Sequence, residues 1–100
     1  MTKKTDEEVL IMAHHACEVL NIDRDMIFGR SHKPDCVRPR HVIWATLLNN
    51  GAYKSQVARV FGRNHSTIMT RVDKINVQAK YYPEIKSKFE MLKFAFEIKI

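Results

Sequence analysis

An all-α domain, a compact bundle of about six helices, is the fold class this sequence predicts, and three observations lead to it. Apolar residues recur at three- and four-residue spacing near both ends of the chain, and no stretch alternates strictly as a strand would. Helix-capping and helix-stopping residues punctuate the chain at short intervals. Residues 55–75 read SQVARVFGRNHSTIMTRVDKI, an apolar helix ending at Gly62 and a second helix opening on Asn, His, Ser and Thr. A helix-turn-helix needs a small residue where its helices cross, here Ala58, and a glycine where the chain turns left-handed, here Gly62. The second helix of such a pair usually enters the DNA major groove. The same pattern also suits an ordinary helical hairpin inside a core.

Each element has its own signal. Thr5-Asp6-Glu7-Glu8 is a capping box, and its acids suit the positive end of a helix dipole. That first helix runs to about Leu20, with Val9, Met12, Ala13, Ala16 and Val19 or Leu20 on its apolar stripe. Residues 23–28 read as a short helix stopped by Gly29. Residues 30–39 are polar, basic and interrupted by two prolines, which predicts a loop. Arg38-Pro39-Arg40 opens a third helix, with proline in its first turn, that runs until Asn49-Asn50-Gly51. The helix-turn-helix occupies about 55–79. Pro83 opens a last helix to about residue 98, striped by Ile85, Phe89, Leu92 and Phe96. Met91, Phe94 and Ile98 fall off that stripe, which predicts contact with a second copy or another protein.

The 100 residues make one domain, 1–100, with a single core. A net charge of +6 suits a polyanionic partner. No apolar run approaches membrane-spanning length, and the acidic start is unlike a signal peptide. Two cysteines, Cys17 and Cys36, then fit a reducing cytoplasm.

Other chemistry finds little support. His14-x-x-Cys17 and His32-x-x-x-Cys36 lack the paired knuckles of structural zinc sites, so no metal is expected. There is no phosphate loop or glycine-rich turn, and a Cys36–His41 pair has no orienting third group, so neither catalysis nor a cofactor is expected. Projected at 100° per residue, the fifth helix puts Ile68, Met69, Val72 and Ile75 on one side. Ser66, Thr67, Thr70, Arg71 and Lys74 fall on the other, and hydroxyls with cations are the groups that bond phosphates and base edges. A solvated outer face is the plain reading of the same pattern.

Arg38-Pro39-Arg40-His41, followed by Val57-Ala58-Arg59-Val60-Phe61-Gly62-Arg63-Asn64-His65-Ser66-Thr67-Ile68, resembles the C-terminal DNA-binding domain family of the bacterial replication initiator DnaA. The resemblance covers roughly residues 5–79. Arg63, Asn64, His65, Ser66 and Thr67 match the family's glycine-arginine-aspartate-histidine-threonine-threonine signature, and Arg40 and His41 match its arginine-glutamine pair. The differences are a single Gly62 for a glycine pair, a slightly shorter segment between His41 and Ser55, Asn64 for aspartate, His41 for glutamine and Arg71 for a small apolar residue. The initiator's ATPase module has no counterpart, so a complete initiator is not expected.

The resemblance implies a TrpR-like double-stranded DNA binder whose second hairpin helix reads the major groove, while the basic loop touches backbone and minor groove. The DNA-binding residues it suggests, together with the polar face above, are Lys33, Arg38, Arg40, His41, Arg63, Asn64, His65, Ser66, Thr67, Thr70, Arg71 and Lys74. Asn64 is expected to cap the reading helix, to match adenine by donating and accepting, or both. A basic helical adaptor that docks on proteins without reading DNA sequence is the other function class.

Overall fold

Capping chemistry sets most of the helix boundaries in the computed structural model, which describes residues 4–97. Helix α1 spans Asp6–Leu20. Its capping box closes as the sequence predicts, with the Glu8 amide donating to Thr5 Oγ1 at 3.1 Å and the Thr5 amide to Glu8 Oε1 at 3.1 Å. Asn21 ends it in the left-handed region at φ 54°, a conformation asparagine tolerates better than most residues. Helix α2, Arg24–Phe28, is one turn capped by Asp23 and closed by Gly29.

Helix α3 corrects the predicted loop at 30–39. It spans Pro34–Asn49 and carries Pro39 inside it. Pro34 stands in the first turn, where its missing N–H would have no partner and its fixed φ already suits a helix. The Cys36 and Val37 amides both donate to the Lys33 carbonyl at 2.9 Å, and Cys36 is buried. The extra turn is thus anchored on the core, and Pro39 removes only one rung of its ladder. Residues 42–47 of α3 are all buried. A helix buried on every side is a central one, and the others pack around it.

Helix α4 is Lys54–Phe61 and helix α5 is His65–Gln78. Gly62 joins them at φ 65°, where a side chain would be strained. The Arg63 amide reaches back to the Ala58 carbonyl at 2.9 Å and completes the turn. Ile68, Val72 and Ile75 of α5 face the core. Helix α6, Pro83–Glu97, buries Ile85 and Leu92 and rests Phe89 and Phe96 against the same core. Met91 and Phe94 are exposed, and Ile98 lies outside the described residues.

Under the helix-turn-helix is an aromatic stack. Phe28 lies flat on Phe61 with centroids 4.7 Å apart, and Trp44 meets Phe61 edge-on at 5.7 Å. This stack ties α2, α3 and α4 together and makes a stiff floor for the surface above. All described elements are helices, and none is long and apolar enough to cross a membrane.

Candidate nucleic-acid interface

The cap of α5 places its polar face. Asn64 Oδ1 accepts the Thr67 amide at 2.8 Å and the Ser66 hydroxyl at 2.9 Å. Turned by the core contacts of Ile68, Val72 and Ile75, the helix leaves His65, Ser66, Thr70, Arg71 and Lys74 exposed and Thr67 half-buried. Ser66, Thr67, Thr70, Arg71 and Lys74 are the residues the sequence put on one face, and the structure keeps them together with His65 beside them.

Beside this face is a cleft of about 530 Å³, lined by Arg30, His32, Val37, Arg40, His41, Trp44, Gly62, Arg63, Asn64, Thr67 and Arg71. None of these lining residues is acidic. Two arginines stitch its walls. Arg30 Nη2 donates to the Gly62 carbonyl at 2.9 Å, and Arg63 Nη2 donates to the Gly29 carbonyl at 2.8 Å. Arg63 Nη1 also donates to the Phe61 carbonyl at 2.8 Å, and its guanidinium stands 5.7 Å from the centre of the Trp44 ring. The loop before α3 and the turn before α5 are therefore fastened to each other by exchange. Arg63 is as much a clasp as a surface cation.

Arg40 is the clearest departure from the sequence reading, which placed it on DNA. It is 4% exposed, with Nε donating to the Ile27 carbonyl at 3.2 Å and Nη2 to the Met26 carbonyl at 3.0 Å. These are last-turn carbonyls of α2, which lack partners of their own and carry the negative end of that helix's dipole. Arg40 braces the interior. Arg38 remains half-buried at the surface, with Nη1 3.6 Å from Glu84 Oε1 and its guanidinium 5.5 Å from the Tyr82 ring centre. Lys33 is exposed just before α3.

Burial leaves a signature on this cluster, and neighbouring cations deepen it at Arg63 and His41. Burial holds the Arg40 guanidinium below its ordinary value, and burial followed by Arg30 and Arg40 does the same to Arg63. His41 is pushed down to about 4, first by burial and then by Arg40, Arg71, Lys74 and Arg63. His41 is therefore neutral near pH 7, its ring 5.0 Å from that of Trp44. Above the unfolded value of 6.5 neither state takes up a proton at this site. Between pH 6.5 and about 4 the unfolded chain gains a proton that the folded chain refuses, so stability falls as pH is lowered through that window. His41→Gln is expected to flatten this fall by on the order of 1 kcal/mol, allowing for solvent screening. Urea unfolding of both proteins from pH 7 to pH 5 measures the difference, and parallel curves would refute it.

Arg30 and His32 were not among the residues picked from the sequence. The basic composition of their loop pointed toward them, but the bond from Arg30 to Gly62 crosses 32 positions and has no local signal. Among the described residues no group of three or more His, Cys, Asp or Glu side chains is placed to hold a metal ion.

The chromosomal replication initiator protein DnaA of Leptospira biflexa serovar Patoc, from strain Patoc 1 / Ames and from strain Patoc 1 / ATCC 23582 / Paris, is in each case 32% identical over 80 residues. That alignment covers 77% of this chain, which spans only 18% of the length of these relatives. No solved structure matches the chain significantly. The family model for the bacterial DnaA protein helix-turn-helix matches residues 11–75, which takes in α2 to α4, most of α1 and the first eleven residues of α5. This chain belongs to the bacterial DnaA helix-turn-helix family.

Proposed function

We propose that this DnaA-type DNA-binding domain sets the first turns of α5 into the major groove of double-stranded DNA. The loop before α3, with Arg30, His32 and Lys33, and the start of α3, with Arg38, lie along the adjoining backbone or minor groove. The observation that carries this reading is the cleft between those two elements, lined by arginines, histidines and hydrogen-bonding side chains with no acid among them. A duplex phosphate is the group such a surface accommodates, and the hydroxyls of Ser66, Thr67 and Thr70 stand where base edges would pass. Fluorescence anisotropy of a labelled duplex at rising salt is the test. Affinity is expected to fall steeply as bound counterions are released. A flat response would reject the reading.

Glu84 holds one cation of this surface in check. Glu84→Gln is expected to free Arg38 for a phosphate and tighten duplex binding about two- to threefold, the scale of an exposed ion pair. Unchanged affinity in the same anisotropy assay would show that Arg38 stays off the DNA backbone.

The exposed Met91 and Phe94 on α6 support contact with a second copy or another protein, since neither side chain is used by the domain's own core. Light scattering over a concentration series, repeated with Phe94→Glu, tests it. A native protein that stays monomeric and a mutant that loses no partner would end that proposal. Both cysteines are free, in keeping with a cytoplasmic setting.

A further inference from the structure

Asn64 stands at the start of the reading face with half of its side chain already committed. Its amide oxygen accepts both the Thr67 backbone N–H and the Ser66 hydroxyl. A backbone N–H only donates, so the atom facing it must be the oxygen, and the amide cannot be turned over. Both acceptor sites of that oxygen are then filled. Among the described residues Nδ2 makes no hydrogen bond, and Asn64 is exposed on the rim of the cleft. The residue therefore shows the solvent two N–H donors and no acceptor.

This overturns one expectation from the sequence. Matching adenine in the major groove takes a donor and an acceptor from the same amide, and the acceptor is spent on the cap. We infer that Asn64 reads duplex DNA as a donor only and selects guanine at the base pair it faces. Guanine presents two adjacent acceptors, N7 and O6, and no donor on that edge. Cytosine presents only its N4 amino group, which would meet the Nδ2 hydrogens head-on and is rejected. Ser66 takes part indirectly, since its hydroxyl donates to Oδ1 and so helps keep that oxygen from turning outward.

The inference rests on the duplex-binding reading, and its test separates the two. Sequences are selected from a random duplex library with three proteins: the native domain, Asn64→Asp and Asn64→Ser. Aspartate and serine both cap helices well, so each variant is expected to fold. Aspartate keeps one oxygen for the cap and turns a second acceptor outward, whereas serine caps with nothing left over. The native domain is expected to enrich guanine at one position by about tenfold. Asn64→Asp is expected to switch that position alone to cytosine, and Asn64→Ser to lose preference there while keeping the rest of the site. Three identical site profiles, or cytosine at that position for the native protein, would overturn the role of Asn64 and leave duplex binding standing. No enrichment with any of the three would overturn duplex binding itself, and this inference with it.

Discussion

Arg40→Ala is expected to lower the melting temperature by roughly 10–20 °C, the largest stability loss of any single change at the interface. The guanidinium reaches the Met26 and Ile27 carbonyls, and among the described residues no carboxylate is paired with it. Its removal leaves two carbonyls, one buried and one part-buried, without partners, at about 2–3 kcal/mol together. Helix α2 is a single turn and cannot persist by its own hydrogen bonds. Phe28 sits at its end, so loosening α2 also loosens the stack on Phe61. Arg40→Lys is expected to recover only part of the loss, because one ammonium cannot reproduce the planar fork. Calorimetry of the three proteins is the measurement. If Arg40→Ala melted within a few degrees of the native domain yet bound duplex DNA poorly, Arg40 would be a DNA contact and the brace would be wrong.

Binding, in contrast, is expected to depend most on the outer face of α5. The double variant Arg71→Ala, Lys74→Ala should bind a selected duplex about 25-fold more weakly, at roughly 1 kcal/mol for each phosphate it no longer neutralises. The slope of log affinity against log salt should shrink by about two, one for each of those phosphates. Both side chains are exposed, so the melting temperature should hardly move. Titration at several salt concentrations distinguishes this from a general loss of charge. Weaker binding with an unchanged slope would place these residues away from the backbone.

The two experiments probe residues that looked alike in the sequence. Arg40 and Arg71 are both cations in segments that resemble the family's DNA-contacting regions, yet one faces the interior and the other solvent. The same contrast runs through the rest of the site. Asn64 was legible as a cap, because its neighbours Ser66 and Thr67 are local. That the cap uses up its oxygen became visible only with the hydrogen bonds placed. The resemblance puts Arg63 among the DNA-binding residues, and in the structure its bonds run to Phe61 and Gly29 and its guanidinium stands over Trp44. The predicted loop at 30–39 failed for a related reason. Two prolines and a run of polar residues argue against a helix locally, and only burial of Cys36 and Pro39 against the core holds the first turn of α3 together.

By itself the sequence determined the Thr5–Glu8 capping box, the glycine turn at Gly62 and the polar face of α5. All of these follow from interactions within about one helical turn, where residue type and spacing are sufficient. Only the tertiary structure decided which cations face solvent and which are spent inside. The carbonyls of other elements that Arg30, Arg40 and Arg63 reach, Gly62, Ile27 and Gly29, lie 13 to 34 positions away. An arginine beside an unpaired carbonyl loses less by turning inward than by leaving that carbonyl bare, and such neighbours exist only after the helices have packed.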